Sequence, residues 1–281
     1  MLVRDLVEKH RAEFTTAERR LIPFLKDDSL VIELQSITKL AEAAEVSTPT
    51  VIRLARKLGF DGFPALQGAI RAELAERIKQ PLAKLEAPMV ESGADHLINR
   101  FAEKVVQNLG QTIGQLNLAD FVAAATLLSS FDRPVYLIGG RITQPVAAYF
   151  ANQLANVRPR VTLMSSSRSA WPQTVMDLDD RTVLIIFDIR RYEKKMERLA
   201  EFAASQGVQI ILLTDQWGSP IEKIAHHCFR AMVEAPSSWD STLALNFLVE
   251  TFVAQVQREA ADASAERIRR MEHVIGATEI F

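Results

Sequence analysis

Five short apolar runs, at residues 135–138, 161–164, 183–187, 210–214 and 228–233, follow one another after Pro134 with helical segments between them. Such runs read as buried parallel strands, and strands of this kind alternating with amphipathic helices specify a doubly wound α/β sheet. This topology also fixes where chemistry can sit. In an open parallel sheet, ligands bind outside the carboxyl ends of the strands, so the residues just after each run are the candidates.

The first part of the chain has a different texture. From Leu2 to about Lys79 the patterns are helical and no alternating strand occurs, which makes this part all-α. Thr15 or Thr16 opens one helix, with Leu21, Ile22, Phe24 and Leu25 as its apolar face, and Ser36 caps another. Pro81, Pro88 and Gly93 then break the pattern. We therefore expect a helical domain over residues 1–79, a linker over 80–93 and an α/β domain over 94–281, a chain of 281 residues being long enough for two cores. Early in the second domain Leu97, Phe101, Val105, Leu109, Ile113 and Leu116 recur at helical spacing. An apolar stripe of that length needs a partner surface.

Residues 36–60, SITKLAEAAEVSTPTVIRLARKLGF, carry the most specific local signal. Ile37, Leu40, Ala41 and Ala44 form the packing face of one helix, Val46 closes a tight turn, and Ser47 caps a second helix whose inner face is Val51, Leu54 and Leu58. This is a helix-turn-helix. In such a unit the start of the second helix enters the major groove, which puts Ser47, Thr48 and Thr50 at phosphates or base edges, Arg53 one turn on, and Arg56 and Lys57 beyond it. A formal net charge of −2 excludes a uniformly basic nucleic-acid coater, so these three cations must supply the basic patch. The alternative is a surface hairpin whose cations are merely solvated. Glu45 stands at the turn position often filled by glycine, which leaves the left-handed geometry there to a residue with a Cβ.

The helix-turn-helix ending in LARKLGFDGFPAL, followed by a linker and a sugar-isomerase-type (SIS) α/β domain, resembles the RpiR/MurR family of transcriptional regulators over nearly the whole chain. The resemblance implies an N-terminal DNA-binding domain, a C-terminal SIS domain that binds phosphorylated sugars or related metabolites, and assembly as homodimers or homotetramers. The implied partners are double-stranded operator DNA and a small anionic metabolite, with no cofactor and no metal.

Gly139 and Gly140, directly after the first strand, allow close backbone approach to an anion at the following helix N-terminus, where Arg141 and Thr143 stand ready to contact it; a tight strand-to-helix turn needs the same glycines for geometry alone. Ser165, Ser166, Ser167, Arg168 and Ser169 follow the second strand. The hydroxyls resemble the SIS phosphate loop and equally suit a polar loop that caps the next helix. After the third strand come Asp188, Arg190, Arg191 and Tyr192, where SIS domains that handle sugar phosphates present a Ser/Thr/Gly-rich turn. Two arginines can hold a carboxylate, sulfonate or phosphate, or one can pair with Asp188. Thr214 and Asp215, with Ser237, Ser238, Trp239, Asp240 and Ser241, complete the expected rim.

A sugar-phosphate isomerase-type enzyme is the alternative function, since the α/β half can carry catalysis in principle. Such chemistry needs a general base beside the sugar. His226 and His227 lie on the segment leading into the fifth strand, away from its carboxyl end, and Glu234 at that end has no evident partner. Metal-ligand spacing, a P-loop and a nucleophile elbow do not occur in the sequence. A purely architectural DNA-binding protein leaves the polar strand ends unexplained. The single cysteine, Cys228, permits no internal disulfide, charges interrupt residues 1–26, and no apolar run reaches membrane-spanning length. The expectation is a cytoplasmic regulator without enzymatic activity.

Overall fold

The computed structural model describes residues 3–26, 36–78 and 96–279. Its chain divides into two compact units, Met1–Ala87 and Pro88–Phe281. The expected linker, residues 80–93, lies outside the described residues.

The described part of the first unit is helical: α1 Val3–Lys9, α2 Thr16–Arg19, α3 Ile22–Lys26, α4 Ile37–Ala43, α5 Thr48–Lys57 and α6 Phe63–Ile78. Thr15 opens α2 with a reciprocal capping box, its hydroxyl accepting from the Glu18 N–H while the Glu18 carboxylate accepts from the Thr15 N–H. The single helix expected after Thr15 is two. Pro23 has no N–H to donate to the Arg19 carbonyl, so the chain pauses at Arg20 and restarts as α3. Leu21 and Leu25 are buried as expected, with Val7, Leu40, Leu54, Leu58 and Leu66 around them.

The second unit begins with α7 Leu97–Gly114 and α8 Leu118–Ser129, then alternates strands and helices: β1 Val135–Gly139, α9 Gln144–Val157, β2 Val161–Leu163, α10 Trp171–Val175, β3 Val183–Asp188, α11 Lys194–Ser205, β4 Gln209–Asp215 and β5 His227–Ala231. Helices α12 Leu243–Glu259 and α13 Ala261–Thr278 follow. The five strands are parallel, in the order β2-β1-β3-β4-β5. Central β3 is buried at every residue because both its faces are covered. Leu184 and Ile186 point into a layer with Met196, Leu199 and Ala203 of α11. Phe187 meets Phe150 of α9 on the other face, where Phe150, Phe252, Phe121 and Phe229 form a chain of ring contacts. The fifth strand ends at Ala231 rather than Val233, and β2 is an edge strand whose Thr162 and Leu163 are exposed, not a buried one.

The inner face of helix α7 is mixed: Phe101, Val105 and Leu109 are half-buried there, and between them Asn108 donates to the Glu234 carbonyl (2.7 Å) and the Thr112 hydroxyl accepts from the Met232 N–H (3.0 Å), with Gln115 just past the helix donating to the Arg230 carbonyl (2.9 Å). These reach alternate residues along the free edge of β5 and just beyond it, where the backbone groups have no strand partner. The polar row therefore caps a sheet edge, while Ile98, Val106 and Ile113 are exposed.

Candidate functional site

In the first unit the geometry centres on the turn between α4 and α5. The Val46 N–H donates to the Ala41 carbonyl (2.8 Å) and the Glu45 N–H to the Glu42 carbonyl (3.1 Å), the paired bonds of a Schellman cap, with Glu45 in left-handed backbone at φ 51°. The same cap closes α5 through Gly59 (φ 90°), with Phe60 N–H on the Ala55 carbonyl. Glycine suits this conformation; Glu45 adopts it at a cost. Arg20 braces the turn with a hydrogen bond to the Glu45 carbonyl (3.3 Å).

Helix α5 buries Val51, Leu54 and Ala55 and turns Ser47, Arg53 and Arg56 outward, with Thr48 half-buried. Four of the residues expected at DNA make hydrogen bonds within the fold, and two of them, Thr50 and Lys57, are drawn inward. Thr50 is buried, its hydroxyl bonded to the Ser47 hydroxyl (2.9 Å) and accepting from Arg53 (3.2 Å). Lys57 donates to the Glu18 carboxylate (2.6 Å) and to the Glu13 carbonyl (2.9 Å), over the ring of Phe14. The exposed basic patch on this helix is therefore Arg53 and Arg56, one cation fewer than the sequence count.

In the second unit the topological switch point lies between β1 and β3, at the carboxyl ends of the strands, where open parallel sheets bind their ligands. Gly139 is required there, since a Cβ would come within 2.5 Å of the Gln144 nitrogen and the Thr143 carbonyl carbon. Its N–H donates to the Gln144 side chain (2.8 Å), which in turn donates to the Met164 carbonyl (2.9 Å) and so ties the first loop to the second strand. Thr143 is buried: its hydroxyl donates to the Phe187 carbonyl (2.8 Å) and accepts from the Gly140 N–H (2.9 Å). Neither Thr143 nor the Gly140 N–H is left open for an anion. Arg141 is exposed.

The serine loop is exposed from Ser165 to Ser169. Ser165 accepts from the Ser167 N–H (3.1 Å), Ser167 and Ser169 share a hydroxyl contact (2.9 Å), and Arg168 pairs with Glu193. Ser166 is likewise exposed, and Ser241, buried, accepts from the Leu243 N–H at the start of α12 (3.3 Å).

The third-strand loop is tied inward. Arg190, at φ 60° and buried, grips Asp240 through Nε and Nη2, the latter 2.6 Å from Oδ1, and its guanidinium lies 3.7 Å from the centre of the Trp217 ring. The partner of Arg190 is thus Asp240 and not Asp188, because Asp188 points to the Ser219 hydroxyl, which donates to it. Burial, reinforced by Asp215 and Glu197, pushes the Asp188 carboxyl up to about 7. Asp215 accepts from the Arg190 N–H (2.6 Å), the Tyr192 hydroxyl (2.6 Å) and the Trp217 N–H (3.1 Å). Its pKa is also raised, by burial, against the pull of these donors. Arg191 is exposed. Gln144, Glu193, Trp217 and Ser219 carry no signal in the sequence, since each acquires its role from a partner on another loop.

The histidines sit at the other end of the sheet. His226 Nδ1 accepts from the Ile210 N–H (3.1 Å) and His227 contacts Asp120 of α8 (2.5 Å).

Residues 1–77 match the family described as "Helix-turn-helix domain, rpiR family", and residues 130–255 match the SIS domain. An uncharacterized HTH-type transcriptional regulator of Clostridium perfringens is 21% identical over 271 residues, covering 95% of this chain and 96% of its own. Among solved structures, the sugar isomerase domain of an RpiR transcription factor from Sphaerobacter thermophilus superposes with a TM-score of 0.59 at 22% identity, covering 64% of this chain and 99% of that one. The Vibrio vulnificus NanR protein complexed with ManNAc-6P superposes with a TM-score of 0.59 at 16% identity, covering 98% of each chain.

Proposed function

The chain belongs to the rpiR family of helix-turn-helix transcriptional regulators with a SIS domain, and from that premise we propose that a small anionic metabolite, bound at the carboxyl ends of its strands, controls its affinity for operator DNA. The observation that carries the DNA half is α5, which buries one face in the helical core and presents Ser47, Arg53 and Arg56 on the other behind a closed turn. A helix so presented fits the major groove, with Arg53 near base edges and Arg56 toward phosphate. The ligand half rests on the switch-point crevice, rimmed by Ser165, Ser166, Ser167, Arg190, Arg191, Asp240 and Ser241. The similarity to NanR, whose structure holds ManNAc-6P, supports a metabolite ligand for a chain of this fold; ManNAc-6P itself is that protein's ligand.

On this reading the protein acts in the cytoplasm, as a homodimer or homotetramer on a two-fold-related site, and performs no catalysis. Among the described residues no helix is long and apolar enough to cross a membrane. Selection of duplexes from a random pool by the full-length protein is the test, with a pseudo-palindromic site expected. Arg53→Ala should then cost about 1–3 kcal/mol on the selected site and far less on random duplex. Equal losses on both would leave Arg53 as a phosphate contact, and a pool without enrichment would remove the operator reading.

A further inference from the structure

Arg190 already grips a carboxylate. Its guanidinium is nine-tenths buried, with Nε and Nη2 on the two oxygens of Asp240 and the face of Trp217 against it. This side-on fork fits two oxygens in a plane, the shape of a carboxylate. Beside it stands a second, independent feature. The indole N–H of Trp217 is buried, the residue being 3% exposed, and has no acceptor. A donor left in that condition costs about 1–3 kcal/mol, which an oxygen brought by a ligand recovers.

The surroundings are rich in acid. Asp188 and Asp215 are buried at the ends of β3 and β4, and Glu193 lies across the first loop, 3.6 Å from where a Cβ on Gly140 would stand. The turn after β3, Asp188, Ile189, Arg190 and Arg191, carries no hydroxyl.

We propose that the effector is a small monocarboxylate that takes the place of Asp240 on Arg190, with a hydroxyl or carbonyl oxygen of the ligand accepting from the Trp217 indole. This rests on the regulator reading above and names the ligand class of its site. The exchange releases a segment that is held at both ends. At Glu234, Asn108 and Lys104 of α7 bind the carbonyl (2.7 Å) and the carboxylate (3.7 Å). Just past Asp240, Leu243 lines a groove with Leu97, Ile98, Phe101 and Val105 at the start of the same helix. Freeing Asp240 therefore acts on α7 from two points. Asp240 is an intramolecular competitor, present at an effective concentration in the millimolar range or above, so simple carboxylates bind the wild-type protein weakly.

The test removes the competitor. In full-length Asp240→Gly, acetate should fill the vacated space and raise Tm saturably, with a half-saturating concentration at least tenfold below that of inorganic phosphate at matched ionic strength. Arg190→Lys in the same background should abolish the difference. Asp240→Ala, which also vacates the carboxylate position, is read by the same titration if the glycine variant does not fold. Phosphate binding as well as or better than acetate overturns the carboxylate class, and binding of neither overturns the site. In the wild type, gluconate should speed hydrogen exchange of residues 235–242 more than glucose 6-phosphate does. A protein that answers glucose 6-phosphate alone keeps the metabolite-controlled reading and loses the exchange.

Discussion

The ammonium of Lys57 sits 2.6 Å from the carboxylate of Glu18, tying the last turn of the helix expected at DNA to the capping box that opens α2. Burial alone would raise the Glu18 pKa, but hydrogen bonds from Lys57 and Thr15 outweigh it and hold the carboxyl below its ordinary value. A carboxyl with a depressed folded pKa contributes stability that is present above the unfolded pKa and lost as pH falls through the folded one.

Glu18→Gln should therefore destabilise the helical unit by about 3 kcal/mol at pH 7, the cost of leaving a partly buried ammonium without its partner. The difference between variant and wild type should begin to shrink as pH falls below about 4, near the unfolded pKa, and go on shrinking until the pH passes the depressed folded one. Thermal melts across pH 3 to 7 read this directly. Because Lys57 is engaged internally, Lys57→Gln should leave the salt dependence of DNA binding unchanged, whereas a lost phosphate contact lowers the slope by about one.

Glu45 holds a left-handed turn that glycine adopts freely. Glu45→Gly should stabilise the unit by about 1 kcal/mol, the relief of backbone strain exceeding the loss of its exposed ion pair with Arg20. A denaturant melt showing a lower midpoint would mean that the Arg20 brace matters more than the strain.

Much of this fold is legible in the sequence because burial on both faces leaves nothing but apolar residues, as in β3, and because Thr15 and Ser36 cap by local rules. Helix α7 is legible in part: Phe101, Val105, Leu109 and Leu116 of its stripe are half-buried and Leu97 and Ile113 are exposed, while Asn108, Thr112 and Gln115 turn inward among them to meet the backbone groups of an edge strand, which hydropathy does not report. The candidate crevice is legible only as a place. That Arg190 chooses Asp240 over Asp188, or that Thr143 engages the Phe187 carbonyl, depends on partners tens of residues away, and no spacing rule reports them.

Asp188 is buried with a carboxyl pushed up to about 7 by desolvation, with Asp215 and Glu197 adding to it. An acid whose folded pKa is raised favours folding below its unfolded value and loses that contribution as pH rises through the folded pKa. Asp188→Asn keeps an acceptor for the Ser219 hydroxyl and removes the ionisation. Relative to the wild type it should gain about 2 kcal/mol between pH 5 and pH 8. Parallel stability curves for the two proteins over that range would show that Asp188 stays ionised throughout.

The last prediction concerns the outer face of α7. With its polar row committed to the edge of β5, the helix leaves Ile98 67% and Val106 69% exposed, together with Leu97 and Ile113, and Leu118 and Val122 of α8 are exposed as well. Apolar faces of this extent mark interaction surfaces in soluble chains, and a second copy of the chain is the partner that symmetry supplies most directly. Light scattering at micromolar concentration should give a mass of at least two chains. Ile98→Asp with Val106→Asp should shift it toward one chain without lowering Tm through lost core contacts, since both side chains are largely exposed in the single chain. Asn108→Ala should do the opposite: it leaves the Glu234 carbonyl without its donor and lowers stability by about 1–3 kcal/mol while the outer face stays intact. A single-chain mass for the wild type would remove the oligomer and leave the exposed apolar residues of α7 to a different protein.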